Sequence, residues 1–389
     1  MRIAHVVTLV SADGSFGGPL SVAVGQVREL ARRGHSMTLY AGWDGVGNVD
    51  LPSSVDLRLH KVRSLTPGGS LSGMVSVKLP FDLDANSSAH DVVHLHQGRD
   101  LMSVSAGWMA NARKIPYLVQ THGMIAPDLR SKARVMDALA VRKVLTGAAR
   151  VLSLNEEEDV ALQEVLPGIG TTRLRNGIEA APDLPGPDPD ARPVVLFCAR
   201  LSRRKRVLAF ALLAVDLLER GVEADFVAVG ADEGDLAEFL DFVESKGWSE
   251  RLRYDGAVEP SHVREKLAQA TVFVLPSVDE PFPMTVLEAL SVGTPTVVTD
   301  SCHIAADLAE RGAVSVSAPP ASALADAVLG LLNDPARRAA MGRAGRQAIT
   351  DAYGIGPVAD QLEHIYGVAV ERAATSQPHD KPRKRWRSG

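Results

Sequence analysis

Short apolar runs alternate along the chain with longer segments in which apolar residues recur every three or four positions. The short runs predict buried strands and the longer segments predict helices, and their alternation is typical of parallel sheets joined by crossover helices. Five strands are predicted in the first half, at residues 3–7, 37–40, 92–94, 117–120 and 150–154. The first helix is predicted over residues 20–33, because Pro19 suits a first helical turn and Gly34 suits a helix end.

A second series of strands follows a break in the pattern. Residues 176–193 are dense in Pro, Gly and Asp and lack apolar periodicity, which predicts a linker. Strands then resume at residues 194–198, 224–229, 252–254, 272–275 and 296–298, with helices such as 236–243 between them. The predicted fold class is therefore α/β, with two Rossmann-like βαβ domains whose parallel sheets face each other across a deep cleft.

The same pattern predicts the domain organisation. Residues 1–180 form the first domain, 181–192 the linker and 193–355 the second domain. A helix over residues 356–372 is expected to cross back to the first domain. The polar, basic tail at residues 373–389 is expected to be disordered, since it has too few apolar residues to join a core.

Composition narrows the class of protein. The apolar fraction of 46% and the charged fraction of 23% are typical of soluble globular proteins. A net charge of -5 gives no reason to expect nucleic-acid binding. Two cysteines provide neither a disulfide framework nor a zinc site, which favours a cytoplasmic location. No apolar run reaches the roughly 20 residues that span a bilayer, so any membrane contact is expected to be peripheral, at the inner face.

The most informative stretch is residues 272–298, VFVLPSVDEPFPMTVLEALSVGTPTVV. A buried strand is followed by a Pro-rich loop with Glu280 and by a helix that starts near Thr285 and carries Glu288. The N-terminus of this helix suits a diphosphate, because its backbone N–H groups and dipole attract anions. Glu288 suits two ribose hydroxyls. The alternative is a capping box, in which Thr285 and Glu288 only close the helix end.

Basic residues follow the first strand of the second half, in LFCARLSRRKR at residues 196–206. Arg200 and Lys205 are placed to reach one point, where a guanidinium and an ammonium would stabilise a departing diphosphate. Arg203, Arg204 and Arg206 are interpreted as a solvated basic turn.

Two weaker candidates lie in the first half. Gly17 and Gly18 are placed between the first strand and the first helix, where glycines let backbone amides approach a ligand, although a plain turn is the simpler interpretation. His122 follows the strand at 117–120, where a histidine is as often structural as catalytic. No carboxylate pair predicts a metal site. The G-x-G-x-x-G motif is missing after the strands at 3–7 and 194–198, which counts against an NAD enzyme.

Residues 129–145 form a predicted basic amphipathic helix, with five Arg or Lys residues and apolar positions at Leu129, Val135, Met136, Leu139 and Leu145. Such a helix could contact an anionic membrane surface. The alternative is an ordinary helix with one face in the core and one in solvent.

Together these motifs resemble the retaining GT-B enzymes of glycosyltransferase family four, from Met1 to about Gly367. The resemblance lies in the order and spacing of five motifs: Gly17-Gly18, Thr-His-Gly at 121–123, Asn-Gly-Ile at 176–178, Arg200 with Lys205, and Glu280 with Glu288. The chain departs from many relatives at residues 300–303, Asp-Ser-Cys-His, where they have glycines. Pro281 and Pro283 also remove two backbone donors, whereas Phe282 and Met284 keep theirs.

The resemblance implies a role for each site residue. Glu280 would bind the hydroxyls of the donor sugar and His122 would lie beside that sugar at the reacting face; these two are the expected catalytic residues. The expected donor-binding residues are Gly17, Gly18, Arg200, Lys205, Phe282, Met284, Thr285 and Glu288. Arg200 and Lys205 would bind the diphosphate, Glu288 the ribose, and the Gly18 amide the phosphate from the opposite wall. No metal and no other cofactor is expected.

The resulting functional hypothesis is a bacterial, retaining, metal-independent glycosyltransferase of carbohydrate biosynthesis. It would move a sugar from a nucleoside-diphosphate sugar to a hydroxyl of a glycan, glycolipid or small molecule. Two alternatives on the same scaffold remain open at the level of sequence. One is a nucleotide-sugar epimerase, and the other is a non-catalytic protein that binds nucleotides or glycans.

Overall fold

The computed structural model describes residues 1–10, 17–64, 73–127 and 136–376. The chain divides into two compact units. The first comprises Met1–Ala12, Val27–Arg173 and Ala359–Gly389, and the second comprises Asp13–Gln26 and Leu174–Val358. These units follow backbone contacts; the domain bounds inferred from the sequence stay predictions.

The first unit is built on a seven-stranded parallel sheet. Its strands are β1 (Arg2–Val10), β2 (Ser36–Trp43), β3 (Asp56–Lys61), β6 (Val92–His96), β7 (Tyr117–Gln120), β8 (Arg150–Ser153) and β9 (Thr171–Arg173). They lie in the order β3-β2-β1-β6-β7-β8-β9. A small antiparallel pair, β4 (Arg63–Ser64) and β5 (Met74–Val75), stands apart from the sheet. The central strands β6 and β7 are buried on both faces, as expected where helices cover a parallel sheet.

The helices of the first half are α1 (Gly17–Arg32), α2 (Lys78–Ala85), α3 (Leu101–Ala112), α4 (Arg142–Gly147) and α5 (Glu156–Val165). A 3₁₀ turn spans Ser87–Ala89, and a π-helical turn spans Asp137–Val141. Helix α1 begins at Gly17, so the prediction that Gly17 and Gly18 precede the helix is wrong. With Pro19 they form its first turn, whose N–H groups have no helical acceptors.

The second unit contains a six-stranded parallel sheet. Its strands are β10 (Val194–Cys198), β11 (Asp225–Val229), β12 (Leu252–Tyr254), β13 (Val272–Leu275), β14 (Thr296–Thr299) and β15 (Ser315–Ser317), in the order β12-β11-β10-β13-β14-β15. Its helices are α6 (Val207–Glu219), α7 (Leu236–Lys246), α8 (Val263–Ala268), α9 (Met284–Ser291), α10 (Ala305–Glu310), α11 (Ala321–Leu332) and α12 (Pro335–Ala348). A 3₁₀ turn at Pro260–His262 and a π-helical turn at Ile349–Tyr353 complete it.

Each sheet supports its own apolar core. In the second unit, Phe197 and Phe226 of adjacent strands β10 and β11 pack with Phe210 of α6, and all three side chains are fully buried. In the first unit, Val6, Leu95 and Val119 occupy neighbouring strands in the core beneath α3. Burying side chains of this size contributes about 2–3 kcal/mol each relative to exposure. The predicted fold class, α/β with two Rossmann-like halves, is therefore confirmed.

The last helix, α13 (Ile355–Ser376), belongs to the first unit from Ala359 onward. Arg33 donates to Asp360 and to Glu363, and His35 pairs with Glu363 at 2.6 Å. Residues 377–389 of the tail lie outside the described residues. No helix in the described ranges has the length and apolar character that crossing a membrane requires.

Candidate active site

Polar side chains gather where the central strands of the second unit end. Arg200 follows β10, Glu280 follows β13 and Asp300 follows β14. These three strands are neighbours in the sheet, and the carboxyl ends of parallel strands lie at one edge. The topology therefore brings together three loops that are far apart in sequence.

An ion pair joins two of the predicted site residues. Lys205 Nζ lies 2.5 Å from Glu280 Oε2, and the two side chains are only 14% and 8% exposed. Arg200 pairs with Glu233 at 2.5 Å, but its side chain is half exposed. Lys205 is thus held at a fixed position, whereas Arg200 keeps a solvent-facing surface.

The loop that carries Arg200 is fixed by backbone pairing with the loop after β11. Leu201 N donates to Ala231 O at 2.8 Å, and Glu233 N donates to Leu201 O at 3.0 Å. The close approach depends on Gly230, which has a φ of 143° and whose Cβ, if present, would lie 1.9 Å from Ala199 O. A glycine is therefore required at this crossing.

The three other arginines of the loop behave differently. Arg203 and Arg204 are exposed, as predicted for a solvated turn. Arg206 is not: its guanidinium donates to the carbonyls of Pro276 and Pro319, so that part of the prediction is wrong. Arg206 also stands at the N-cap position of α6, with a φ of 56°.

The loop at residues 300–303, where the chain departs from many relatives, holds the backbone of Glu280. Glu280 N donates to Ser301 O at 3.3 Å, and His303 N donates to Glu280 O at 3.1 Å. Glu280 and Cys302 form an isolated parallel bridge. Glu280 is thereby fixed at its backbone by one loop and at its carboxylate by Lys205.

Helix α9 starts without a side-chain cap. Its N-cap is Pro283, and Thr285 is the second helical residue. The capping-box alternative for Thr285 and Glu288 is therefore wrong, because Thr285 does not occupy the capping position. Pro283 has no N–H, which leaves the N–H groups of Met284 and Thr285 as the first donors of the helix.

The Glu288 carboxylate accepts no hydrogen bond from the described residues. Burial raises its pKa to about 7, and the positive charge of Arg264 opposes this shift. A carboxylate that lacks internal donors suits a ligand that brings its own, such as a pair of hydroxyls.

The side chain of Phe282 is not available to a ligand, because it is buried and packs against Tyr353 with the ring centroids 6.1 Å apart. Only its backbone remains for a ligand.

His122 lies in the first unit, directly after β7, with a left-handed φ of 53°. Its Nε2 is hydrogen bonded to His96 Nδ1 at 2.8 Å, and its Nδ1 is buried with no hydrogen-bond partner among the described residues. Burial lowers the pKa of the ring to about 3. At neutral pH, His122 is therefore a neutral hydrogen-bonding group and not an imidazolium acid.

The backbone around His122 is held by Glu158, which the sequence analysis missed. The Glu158 carboxylate accepts from the Thr121 hydroxyl, from Gly123 N at 2.5 Å and from Leu154 N at 2.7 Å. The sequence did not single out Glu158, because it belongs to the acidic run Glu156–Glu158 at a helix start. Acidic residues are common there because they interact favourably with the helix dipole.

His5, His94 and His96 were also missed. They are buried on β1 and β6, and their ligand atoms lie within 4.8 Å of one another, the one such group found among the described residues. A signal was present in the strand VVHLH, where His94 and His96 share a face because strand side chains alternate. The closeness of these nitrogens is explained by hydrogen bonds among them and with Tyr366.

The two glycines and the predicted basic helix complete the comparison with the sequence. Gly18 is exposed, and a Cβ added there would meet no atom of the described residues within 4 Å. In the basic segment, Leu129 and Val135 lie outside the described residues. Leu145 is buried in the core, whereas Leu139 is 62% exposed. The described part of the segment thus has one apolar side chain turned to solvent.

Comparison with known proteins identifies two glycosyltransferase domain families along the chain. The family Glycosyl transferase 4-like domain matches residues 17–172, and the family Glycosyl transferases group 1 matches residues 185–348. The α-maltose-1-phosphate synthase of Mycolicibacterium smegmatis is 27% identical over 77% of this chain and 84% of its own. The D-inositol 3-phosphate glycosyltransferase of Corynebacterium diphtheriae is 24% identical over 98% and 97%. The α-D-kanosaminyltransferase of Streptomyces kanamyceticus is 28% identical over 46% of each chain.

Solved structures show the same fold. A sucrose-phosphate synthase from Thermosynechococcus elongatus superposes with a TM-score of 0.73 at 19% identity, over 97% of this chain and 100% of its own. The Anabaena protein HepE, solved with UDP, superposes with a TM-score of 0.72 at 16% identity, over 95% and 100%. The fold is that of the GT-B glycosyltransferases. With both family matches in sequence along one chain, the protein belongs to the group 1, family-four-like glycosyltransferases and is an enzyme of that class.

Proposed function

We propose that the protein transfers a sugar from a nucleoside-diphosphate sugar to an acceptor hydroxyl, with retention of anomeric configuration and without a metal ion. The observation that carries this proposal is the grouping of Lys205, Glu280 and the uncapped start of α9 at one sheet edge. A cation, a fixed carboxylate and a helix N-terminus are complementary to a diphosphate attached to a hydroxylated ring.

In this proposal, the second unit binds the nucleotide part of the donor. Arg200 and Lys205 bind the diphosphate together with the N–H groups of Met284 and Thr285. Glu288, whose carboxylate has no internal donor among the described residues, accepts from the two ribose hydroxyls. The neighbouring HepE structures contain UDP and UDP-glucose, which makes a uridine donor the first to test.

The proposed mechanism requires no metal, because positive groups of the chain stabilise the leaving group. Charge grows on the diphosphate as the glycosidic bond breaks, and Arg200, Lys205 and the dipole of α9 are aimed at that charge. The leaving phosphate then accepts the proton of the acceptor hydroxyl on the same face, which gives retention. Glu280 and neutral His122 hold the hydroxyls of the donor sugar during this step.

The acceptor is a hydroxyl of a glycan, a glycolipid or a small molecule. An epimerase or a binding protein on this scaffold is less well supported, since both family matches and the named relatives point to transfer. We place the enzyme in the bacterial cytoplasm. Leu139 with the exposed Arg142 and Lys143 offers a small peripheral contact for an anionic membrane.

The direct test is transfer in EDTA, with the anomeric configuration of the product read by NMR. Arg200→Ala is expected to lower kcat on the order of 10²–10³-fold, as when one donor to a developing anion is removed. The matched control is Arg203→Ala, an exposed arginine of the same loop, with unchanged rate. An inverted product, or activity that appears only when metal is restored, would contradict the proposal.

A further inference from the structure

A continuous chain of hydrogen bonds runs from the last helix to His122. Tyr366 Oη lies 2.6 Å from His94 Nδ1 and 3.1 Å from His5 Nε2. His5 Nδ1 lies 3.0 Å from His96 Nε2, and His96 Nδ1 lies 2.8 Å from His122 Nε2. All five groups belong to the first unit. A tyrosine 244 residues away in sequence is therefore connected to a proposed catalytic group through two intervening rings.

The chain is enclosed by the protein. His5, His94 and Tyr366 have no exposed surface, and His96 is 1% exposed. Burial lowers the pKa of His5 and His122 to about 3, and it lowers the pKa values of His94 and His96 as well. The pKa of Tyr366 is raised by burial. At neutral pH, each ring is thus neutral, with one nitrogen that donates and one that accepts.

These facts restrict the positions of the protons. If the Tyr366 hydroxyl donates to His5 Nε2, then His5, His96 and His122 all carry their proton on Nδ1, and so does His94, which donates to the tyrosine oxygen. If the hydroxyl donates to His94 instead, all four rings carry the proton on Nε2. The single hydroxyl proton therefore selects between two states in which the four tautomers agree.

We propose that Tyr366 is a positioning residue of the transfer site, which sets the tautomers of the four histidines as a unit and so decides whether His122 Nδ1 donates or accepts. The link to catalysis rests on the proposed function, in which His122 contacts the donor sugar. A hydroxyl of that sugar then faces a His122 Nδ1 atom that is always a donor or always an acceptor, and not a mixture of both tautomers.

A metal ion is the competing explanation for three clustered histidines. Both nitrogens of His5 already lie at hydrogen-bond distance from partners within the chain, His96 and Tyr366. The rings of His94 and His96 stack with an interplanar angle of 5° and centroids 4.6 Å apart, so they present faces to each other. Both nitrogens of His96 are engaged as well, by His5 and His122, so among these three histidines only His94 Nε2 has no hydrogen-bond partner in the described part of the chain.

The test is long-range ¹H–¹⁵N correlation of the histidine rings, which reports the protonated nitrogen of each. In the wild type, His5, His94, His96 and His122 are expected to share one tautomer. Tyr366→Phe keeps the ring but removes the hydroxyl. The two ends of the chain, His94 Nε2 and His122 Nδ1, have no hydrogen-bond partner among the described residues, so the hydroxyl of Tyr366 is what ties His94 to the other three rings. Without it, His94 is expected to lose the tautomer that it shares with His5, His96 and His122, and these three stay coupled to one another.

Tyr40→Phe is the matched control, because it removes another buried hydroxyl, one that pairs with His90 at 3.0 Å outside the chain. It should leave all four tautomers unchanged. Opposite tautomers for His5 and His122 in the wild type, no change in Tyr366→Phe, or a stoichiometric divalent metal bound to His5 and His94 would overturn the inference.

Activity gives a second, independent reading. If the spectra show that His122 changes its tautomer in Tyr366→Phe, kcat should fall at least tenfold. If His122 keeps its tautomer and only His94 changes, kcat should stay within twofold. The opposite pairing of tautomer and rate would contradict the link to His122. Coupled tautomers in a protein that transfers no sugar would refute the proposed function and leave the coupling intact.

Discussion

The ammonium of Lys205 and the carboxylate of Glu280 lie 2.5 Å apart, although they are assigned to different parts of the donor. Because both side chains are nearly enclosed, each is the counter-charge that makes burial of the other acceptable. The pair thus joins the residue that we propose binds the diphosphate to the residue that we propose binds the sugar.

Removing one partner of this pair should destabilise the second unit. Lys205→Met leaves Glu280 buried and unpaired, and we expect a loss of about 3–5 kcal/mol in the free energy of unfolding. The double variant Lys205→Met/Glu280→Gln should recover part of this loss. Chemical denaturation of the two single variants and the double variant measures the coupling. Strictly additive effects would show that the ion pair does not act as a unit.

Donor affinity should depend on pH through Glu288. With a pKa of about 7, this carboxyl is mostly protonated at pH 6 and mostly ionised at pH 8. Ionisation supplies the acceptors for two ribose hydroxyls, so affinity for UDP-glucose should rise by about tenfold over this range, as expected when only the ionised form binds. UDP-glucose is a better probe than UDP for this experiment, because the phosphates of UDP-glucose do not titrate between pH 6 and pH 8.

Glu288→Gln should remove this pH dependence, because the amide does not ionise. Glu238→Gln, at an exposed position on α7, serves as the control and should keep it. An unchanged slope in Glu288→Gln would assign the titration to another group.

Glu158 should control the geometry of His122. Glu158→Ala leaves three donors around residues 121–123 and 154 without their acceptor, which should reduce the free energy of unfolding by about 3 kcal/mol. We also expect kcat to fall more than tenfold, as the left-handed backbone at His122 relaxes. Glu156→Ala, exposed on the same helix, is the control. Equal effects of the two variants would refute the role of Glu158.

The membrane contact can be tested by co-sedimentation with vesicles rich in phosphatidylglycerol at low salt. Leu139→Glu should release the protein, because a charge replaces the exposed apolar side chain between basic neighbours. Leu240→Glu, at an exposed leucine of α7, should have no effect. If the wild type does not sediment, residues 129–145 are an ordinary surface segment.

The sequence predicted the parts of the fold that depend on local pattern. All ten predicted strands are present, because apolar runs such as Val272–Leu275 must be buried on both faces. Five strands were missed. The edge strands β3, β9 and β15 have the sequences DLRLHK, TTR and SVS, which lack such a run, and the two-residue strands β4 and β5 are too short to show one. Helix α1 begins earlier than predicted, because glycine weakens a helix only modestly and Pro19 is compatible with its first turn.

Interactions between residues that are far apart in the sequence could not be predicted from it. The pairing of Lys205 with Glu280 spans 75 positions, and the chain from Tyr366 to His5 spans 361. Such contacts depend on the order of the strands in each sheet, and local hydrophobic periodicity does not predict that order. The role expected of Glu280 came from a family resemblance, and that of Glu288 came also from its place near a helix start, while the contacts of Glu158 required the folded structure.

The central claim is that the second unit binds a nucleoside diphosphate without a metal. Calorimetry with UDP, GDP, dTDP, ADP and NAD in EDTA, on the wild type and on Glu288→Ala, tests it most directly. The account predicts that one nucleoside diphosphate binds in EDTA and that Glu288→Ala weakens it at least tenfold. Binding of NAD alone, binding that requires a divalent metal, or equal affinity in the variant would contradict it.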